Sequence, residues 1–147
     1  MCEIADLVVM VVEPNPLELR AACDSLNHLG IKRILCVESY QQAIDSLSQE
    51  KDVDIVLADY EIEEGKELGS LLVSVIRTEY PGILVILTSK DYSCSVVLDS
   101  IRINADDILD KNRKNDIELL VPKWIALAQL KNKTREILYG TTKSPTI

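Results

Sequence analysis

Five short apolar segments recur along the chain, and longer stretches with helical periodicity separate them. The segments cover residues 7–12, 34–37, 53–58, 83–87 and 107–109. The first and the fourth are nearly continuous in Val, Ile, Leu and Met, which is typical of parallel strands covered on both faces. Strand and helix therefore alternate five times, and this alternation predicts an α/β fold with a doubly wound parallel sheet.

The intervening stretches predict helices at residues 16–29, 40–49, 68–78, 92–103 and 116–138. The first has clear boundaries, because Asn15 can cap it, Pro16 suits its first position and Gly30 follows as a stop. The last helix carries Trp124 among apolar neighbours, and two interpretations stay open. These side chains pack in the core, or they form a partly exposed patch. The second interpretation predicts a homodimer or an effector contact through the last two helices.

Length and charge limit the classes of function. The chain has 147 residues, which suits a single domain, and we place that domain at 5–138 with a disordered tail at 139–147. The formal net charge is −8, so we expect neither nucleic acid nor an anionic membrane as a partner. The longest early apolar run is too short to cross a bilayer, and we expect a cytoplasmic protein.

The cysteines suggest neither a zinc site nor a disulfide. Four cysteines are present, namely Cys2, Cys23, Cys36 and Cys94, with one histidine and no C-x-x-C pair. This spacing excludes a zinc site of the usual kind. Three of the four lie in apolar or helical segments, where a cysteine is usually a small buried hydrophobe. We therefore expect reduced thiols and no disulfide.

Polar side chains follow the predicted strands at the point where each strand ends. Glu13 comes after the first strand, Asp59 ends the third, Thr88 and Ser89 end the fourth, and Lys111 follows the fifth. In parallel α/β sheets, ligands and reacting groups gather at the carboxyl ends of the strands. The sequence therefore predicts one site that brings two acids, a hydroxyl and a cation together.

Four segments, VVEPNP, DIVLADY, VILTSKD and ADDILDK, resemble in order and spacing the motif strands of response-regulator receiver domains. The resemblance covers roughly residues 5–130. It implies a flavodoxin-like sheet of strand order 2-1-3-4-5 with helices on both faces. It also implies a phosphoacceptor in a two-component or phosphorelay pathway, with a histidine kinase or a phosphotransfer protein as donor. Such a domain is not an enzyme in the ordinary sense.

The resemblance assigns a role to each residue that would meet the phosphoryl group. Asp59 matches the phosphoacceptor, and its carboxylate would become an acyl phosphate. Thr88 matches the switch hydroxyl, with Ser89 as the fallback because the segment from Thr88 to Lys111 is about one residue longer than is common in the family. Lys111 matches the lysine that pairs with the phosphoryl oxygens and completes an electrostatic cradle.

The resemblance also implies Mg²⁺, which would be held by Glu13, Asp59 and the backbone carbonyl of Glu61. Pro14 stands where the family has a second acid that ligates the metal directly. Proline has no side-chain donor atom, so we expect Mg²⁺ affinity to fall at least tenfold, which corresponds to about 1.4 kcal/mol.

Two further positions depart from the family pattern. Asn112 stands where receivers usually have a proline in a cis peptide, and Ile108 stands where many carry an aromatic side chain. The loop after Asp59 also lacks the proline that the family usually has near Glu63. Pro14, this missing proline and Asn112 support an alternative function: a pseudo-receiver that binds proteins without being phosphorylated. A flavodoxin-like cofactor binder or small enzyme is a third class. It needs a phosphate-cradling loop after the first strand, and the acidic, proline-rich segment EPNP is unsuited to that purpose.

Overall fold

The computed structural model describes residues 4–50, 52–63, 66, 68–113 and 116–139. A short 3-10 helix at Ile4–Asp6 precedes a strict alternation of strands and helices. The elements are β1 (Val8–Val12), α1 (Pro16–His28), β2 (Arg33–Val37), α2 (Tyr40–Gln49), β3 (Ile55–Asp59), α3 (Leu68–Glu79), β4 (Leu84–Ser89), α4 (Cys94–Arg102), β5 (Asp107–Asp110) and α5 (Asp116–Tyr139). The predicted alternation is confirmed. Of the tail predicted at 139–147, Tyr139 is instead the last residue of α5, and residues 140–147 lie outside the described residues.

The five strands form one parallel sheet in the order β2-β1-β3-β4-β5. The predicted flavodoxin-like order 2-1-3-4-5 is therefore confirmed. Every residue of β1 is buried, and successive residues point to opposite faces. On one face the strands pack against α2, α3 and α4, and on the other against α1 and α5. Helices thus cover both faces, which explains why the central strands are apolar throughout.

Trp124 lies in the core between α5 and the sheet, where only 2% of it is exposed. Its indole N–H donates a 3.0 Å hydrogen bond to Asp107 Oδ2, which satisfies the polar end of a buried aromatic side chain. Core packing is thus the correct interpretation for Trp124. The exposed apolar side chains of the last two helices are instead Leu98, Ile101, Leu119, Leu130, Ile137 and Leu138.

A buried polar contact fixes α5 against the amino end of the sheet. Asn132 Nδ2 donates to Asp54 Oδ1 at 3.2 Å, and Asp54 Oδ2 accepts the Val8 N–H at 2.9 Å. The Asp54 carboxylate thereby joins α5 and β1 to the segment that leads into β3. None of the helices in the described part of the chain has the length and apolar composition that a membrane crossing requires.

The expectation about the cysteines is wrong in two respects. The sulfurs of Cys23 on α1 and Cys36 on β2 are bonded, although the two residues are separated by 13 positions. The reason is tertiary, since the turn after α1 folds β2 back alongside that helix and brings two unrelated segments together. Cys94 is a free thiol at the start of α4, where its side chain is exposed.

Candidate functional site

Parallel register places the predicted site residues side by side at the carboxyl edge of the sheet. Asp59 is the last residue of β3, and it pairs directly with Thr88 on β4. The backbone N–H of Tyr60 donates to the Thr88 carbonyl at 2.8 Å, which extends the ladder past Asp59. Glu13 follows β1, and its N–H donates to the Val37 carbonyl at 3.0 Å. The strands themselves therefore position Glu13, Asp59 and Thr88.

Lys111 joins the acids of the site through its ammonium group. Its Nζ donates to Asp59 Oδ2 at 3.0 Å, to Glu18 Oε2 at 3.2 Å and to Glu13 Oε1. The side chains of Lys111 and Asp59 are 14% and 12% exposed, so these charges meet largely out of solvent. Three of the residues predicted from the sequence, Glu13, Asp59 and Lys111, are thus in direct contact.

The two hydroxyl candidates differ in what they contact. Thr88 Oγ1 lies 3.5 Å from the Ala58 carbonyl, a long contact that is easily exchanged. Ser89 Oγ donates to the Asp91 carbonyl at 2.9 Å and accepts the Asp91 N–H at 3.1 Å. Ser89 therefore shapes the turn before α4, whereas Thr88 is the residue paired with Asp59 in the sheet.

The turn after β3 wraps around Asp59. The Glu61 N–H donates to Asp59 Oδ1 at 3.1 Å, and the Gly69 N–H donates to the Tyr60 carbonyl at 3.1 Å. A Cβ at Gly69 would lie 2.6 Å from Tyr60 Cα and closer still to the Asp59 carbonyl oxygen. Gly69 is a site residue that the sequence reasoning missed. The signal for it was a glycine near the start of a predicted helix.

Glu18 and Lys90 are two further charged residues that sequence reasoning missed. Glu18 lies in the first turn of α1, and its Oε1 accepts a 2.8 Å contact from Lys90 Nζ while its Oε2 contacts Lys111. The sequence offered one signal for Glu18, namely its place in the first turn of the helix that follows Glu13. In a parallel α/β sheet, that turn lies at the same edge as the strand ends.

Burial and the surrounding charges shift the pKa values of the site. Burial raises the pKa of Glu13, and the hydrogen bonds from Lys111 and the Asn15 N–H offset this only in part. Burial alone would lower the pKa of Lys111, but contacts with Glu13 and Asp59 outweigh it and raise that pKa. The two shifts thus have different main causes, since burial dominates at Glu13 and the neighbouring carboxylates dominate at Lys111.

Glu18 behaves differently because two lysines hold it. Burial would raise its pKa, but the contacts with Lys90 and Lys111 outweigh that effect and lower the pKa below its usual value. A cavity of about 200 Å³ lies beside this cluster between α1 and α5, with Glu18, Lys111 and Thr88 among the residues that line it. The charged cluster thus borders a space open to small molecules.

The positions that depart from the receiver pattern have clear structural settings. Pro14 is exposed beside Glu13. Asn112 Nδ2 donates to the Lys90 carbonyl at 2.7 Å, which ties the loop after β5 to the loop after β4, and the described residues contain no cis peptide bond. Ile108 is half-buried against the core. Within the described residues, no three His, Cys, Asp or Glu side chains are arranged to hold a metal.

A five-stranded parallel sheet of this order, with acids, a hydroxyl and a lysine at its carboxyl edge, defines the receiver class. The chain matches the family model of the response regulator receiver domain over residues 9–121, and it belongs to that family. This membership implies two-component signalling. Such domains are generally phosphoacceptors rather than enzymes, typically bind Mg²⁺ in an acidic pocket, and interact with kinases or phosphotransfer proteins and with effector domains.

Solved structures share this fold. A response regulator from Thermotoga maritima is 28% identical, with a TM-score of 0.71 over 82% of this chain and 98% of that one. A CheY-like receiver domain protein from Methanospirillum hungatei JF-1 is 15% identical and shows the shared fold, with a TM-score of 0.74 over 87% of this chain and 98% of that one. The isolated receiver domain of RcsB from Salmonella enterica serovar Typhimurium, solved with the phosphomimetic BeF3−, is 16% identical. It has a TM-score of 0.71 over 79% of this chain and 86% of that one. No curated protein sequence matches the chain.

Proposed function

We propose that Asp59 accepts a phosphoryl group in a two-component or phosphorelay pathway, from a histidine kinase or a phosphotransfer protein. One observation carries the proposal: Asp59 Oδ2 lies 3.0 Å from Lys111 Nζ, at the strand position opposite Thr88. A carboxylate, an ammonium and a hydroxyl at one point are the groups that phosphoryl transfer to an aspartate requires.

The proposed step moves a phosphoryl group from a phosphohistidine of the donor to Asp59. An Asp59 oxygen attacks the phosphorus of a phosphohistidine, the new O–P bond forms, and the P–N bond breaks so that its electron pair returns to the imidazole. The Lys111 ammonium then contacts a phosphoryl oxygen and balances charge that would otherwise accumulate beside Glu13. The Thr88 hydroxyl donates to a second oxygen, which its long contact with the Ala58 carbonyl leaves it free to do.

The donor set fits a weakly held Mg²⁺. Carboxylates of Glu13 and Asp59 converge on the same Lys111 nitrogen, so their oxygens lie close together, and oxygen is the ligand that Mg²⁺ prefers. The Glu61 carbonyl would supply the third expected ligand, since the Glu61 N–H already binds Asp59 and keeps this part of the backbone beside it. When bound, the ion would neutralise the acids and the phosphoryl group. Pro14 removes one carboxylate, and the ion would keep more of its water.

Contact with a second copy of the chain or with an effector through the last two helices stays a prediction. The apolar side chains that these helices expose support it. Sedimentation velocity with and without beryllofluoride would test it, since a switch-dependent contact changes the sedimentation coefficient only when the phosphoryl mimic is present.

Intact mass after incubation with acetyl phosphate and Mg²⁺ tests the phosphoacceptor directly. We expect one phosphoryl adduct on the wild type and none on Asp59→Asn. An adduct on both proteins would place the modification elsewhere. No adduct on the wild type, even at high Mg²⁺, would contradict the proposal and favour the pseudo-receiver, whose function would be to bind a protein without phosphorylation.

A further inference from the structure

Four charged side chains form a chain of alternating sign that runs from the site to the surface. Lys111 Nζ connects Asp59 Oδ2 to Glu18 Oε2, and Glu18 Oε1 contacts Lys90 Nζ. Exposure rises outward, from 12% for Asp59 to 14% for Lys111, 32% for Glu18 and 65% for Lys90. These residues come from β3, the loop after β5, α1 and the loop after β4. The row of charged side chains therefore spans the carboxyl edge of the sheet, from which the phosphoryl group must reach Asp59.

The ammonium of Lys111 has no donor to spare in this arrangement. An ammonium carries three N–H groups, and Glu13, Asp59 and Glu18 each accept one. A phosphoryl oxygen that binds Lys111 must therefore replace one of these acceptors. Glu18 is the most exposed of the three, and its 3.2 Å contact is the longest. It is the acceptor that Lys111 can release most easily.

Lys90 explains why Glu18 stays in place. Its ammonium lies 2.8 Å from Glu18 Oε1, so Glu18 bridges two lysines and is held between them at the carboxyl edge of the sheet. Burial would raise the pKa of Glu18, but the contacts with Lys90 and Lys111 lower it, which shows that both lysines favour the charged form. Glu18 is also the third carboxylate that contacts Lys111, beside Glu13 and Asp59. Pro14, which stands where the family has an acid, provides no carboxylate.

We propose that Glu18 and Lys90 form a latch on Lys111. In this role Glu18 is a positioning residue: it restrains the Lys111 ammonium until the phosphoryl group displaces it, and it thereby slows phosphorylation of Asp59. The inference rests on the proposed phosphoacceptor function. Exposed ion pairs are weak, so opening such a latch alters rates by about two- to fivefold.

Rates of adduct formation with acetyl phosphate test the latch. We expect Glu18→Gln to react about two- to fivefold faster than the wild type. Loss of a negative charge would by itself attract the anionic donor, so the deciding variant is Glu18→Gln/Lys90→Gln, whose net charge equals that of the wild type. The latch predicts that this double variant is also faster. A double variant at the wild-type rate would reduce the effect to net charge and overturn the latch.

Glu50→Gln is the matched control, because it removes the same charge as Glu18→Gln. Glu50 pairs with Arg33 at the amino end of β2, far from the site. It should react at the wild-type rate. If Glu50→Gln and Glu18→Gln accelerate equally, the latch is wrong while the phosphoacceptor stands.

A second readout is independent of phosphorylation. The mobility of the Lys111 side chain, followed at constant pH by NMR relaxation of its labelled ε-carbon, should increase in Glu18→Gln and stay unchanged in Glu50→Gln. If no protein forms an adduct, the proposed function fails, and this mobility alone decides the latch. Unchanged mobility of Lys111 in Glu18→Gln would overturn the latch.

Discussion

The hydroxyl of Tyr60 donates a 2.6 Å hydrogen bond to Asp99 Oδ2, which joins the residue after Asp59 to the middle of α4. Ser70 Oγ on α3 donates to the same oxygen at 3.1 Å. Tyr60 is buried, and its backbone also pairs with Thr88. Asp99 therefore links two helices to the turn that follows Asp59. Ile108, which stands where many receivers carry an aromatic side chain, has no hydroxyl with which to make such a contact.

Replacing Tyr60 by Phe should lower the free energy of unfolding by about 1.5 kcal/mol, because a hydrogen bond to a charged group is lost inside a partly buried site. Urea unfolding followed by circular dichroism measures the change. Tyr92→Phe is the control, since the Tyr92 ring is half exposed, and it should stay within about 0.5 kcal/mol of the wild type. Equal stability of Tyr60→Phe and wild type would show that the Asp99 contact contributes nothing.

Replacing Gly69 by Ala should destabilise the fold by about 3 kcal/mol or more, because the added Cβ meets backbone atoms of Asp59 and Tyr60 that cannot move without breaking the β3–β4 ladder. Thermal unfolding measures the loss. Ser74→Ala on the exposed face of the same helix is the matched control and should be nearly neutral. A Gly69→Ala protein as stable as this control would show that α3 lies farther from β3 than described.

Lys111→Met should lower the free energy of unfolding at pH 7 by about 3 kcal/mol, since it leaves carboxylates of Glu13 and Asp59 without their cation. The folded-state pKa of Lys111 is raised above 10.5. Its contribution is therefore complete below pH 10.5 and is lost as the pH rises through the folded-state value. The deficit of the variant should shrink at pH 11.

Urea unfolding at pH 7 and pH 11 checks both parts of the Lys111 prediction. Lys123→Met removes an exposed lysine that pairs with Asp107 on the surface, and it should cost less than about 1 kcal/mol at either pH. A Lys111→Met deficit that persists unchanged at pH 11 would contradict the assigned direction of the shift.

Pro14→Asp should raise Mg²⁺ affinity at least about tenfold, because it adds a carboxylate beside Glu13. Isothermal titration calorimetry with Mg²⁺ alone measures this. Asn15→Asp is the charge-matched control. Asn15 Oδ1 accepts the Leu17 N–H at 3.0 Å and caps α1, so a carboxylate at this position would be engaged with the helix and should bind Mg²⁺ less well. Unchanged affinity in Pro14→Asp would mean that the metal account is wrong.

The Cys23–Cys36 pair should be detectable by thiol counting. In protein purified without reductant and then denatured, we expect iodoacetamide to label two of the four cysteines, and all four after reduction. Cys23→Ser should show three labelled thiols under both conditions. Four labelled thiols before reduction would mean that the two sulfurs are not bonded in solution, as the sequence alone led us to expect.

Local sequence was sufficient for the elements of this fold. Apolar runs gave the five strands, and the helix boundaries followed from local chemistry. Asn15 accepts the Leu17 and Glu18 N–H groups, and Ser93 accepts the Val96 N–H. Ser93 also explains why α4 begins two residues later than the predicted 92–103, because the cap fixes the start of the helix.

The sequence by itself determined the strand alternation and which residues stand at the strand ends, because both depend on neighbours within a few positions. Tertiary structure alone decided that Glu18 and Lys90 join Lys111, that Trp124 is buried, that Gly69 lies against Asp59 and that Cys23 meets Cys36. Each of these contacts joins elements distant in the chain. Their distances depend on how a helix packs on the sheet, and no local pattern of hydrophobicity or charge encodes that packing.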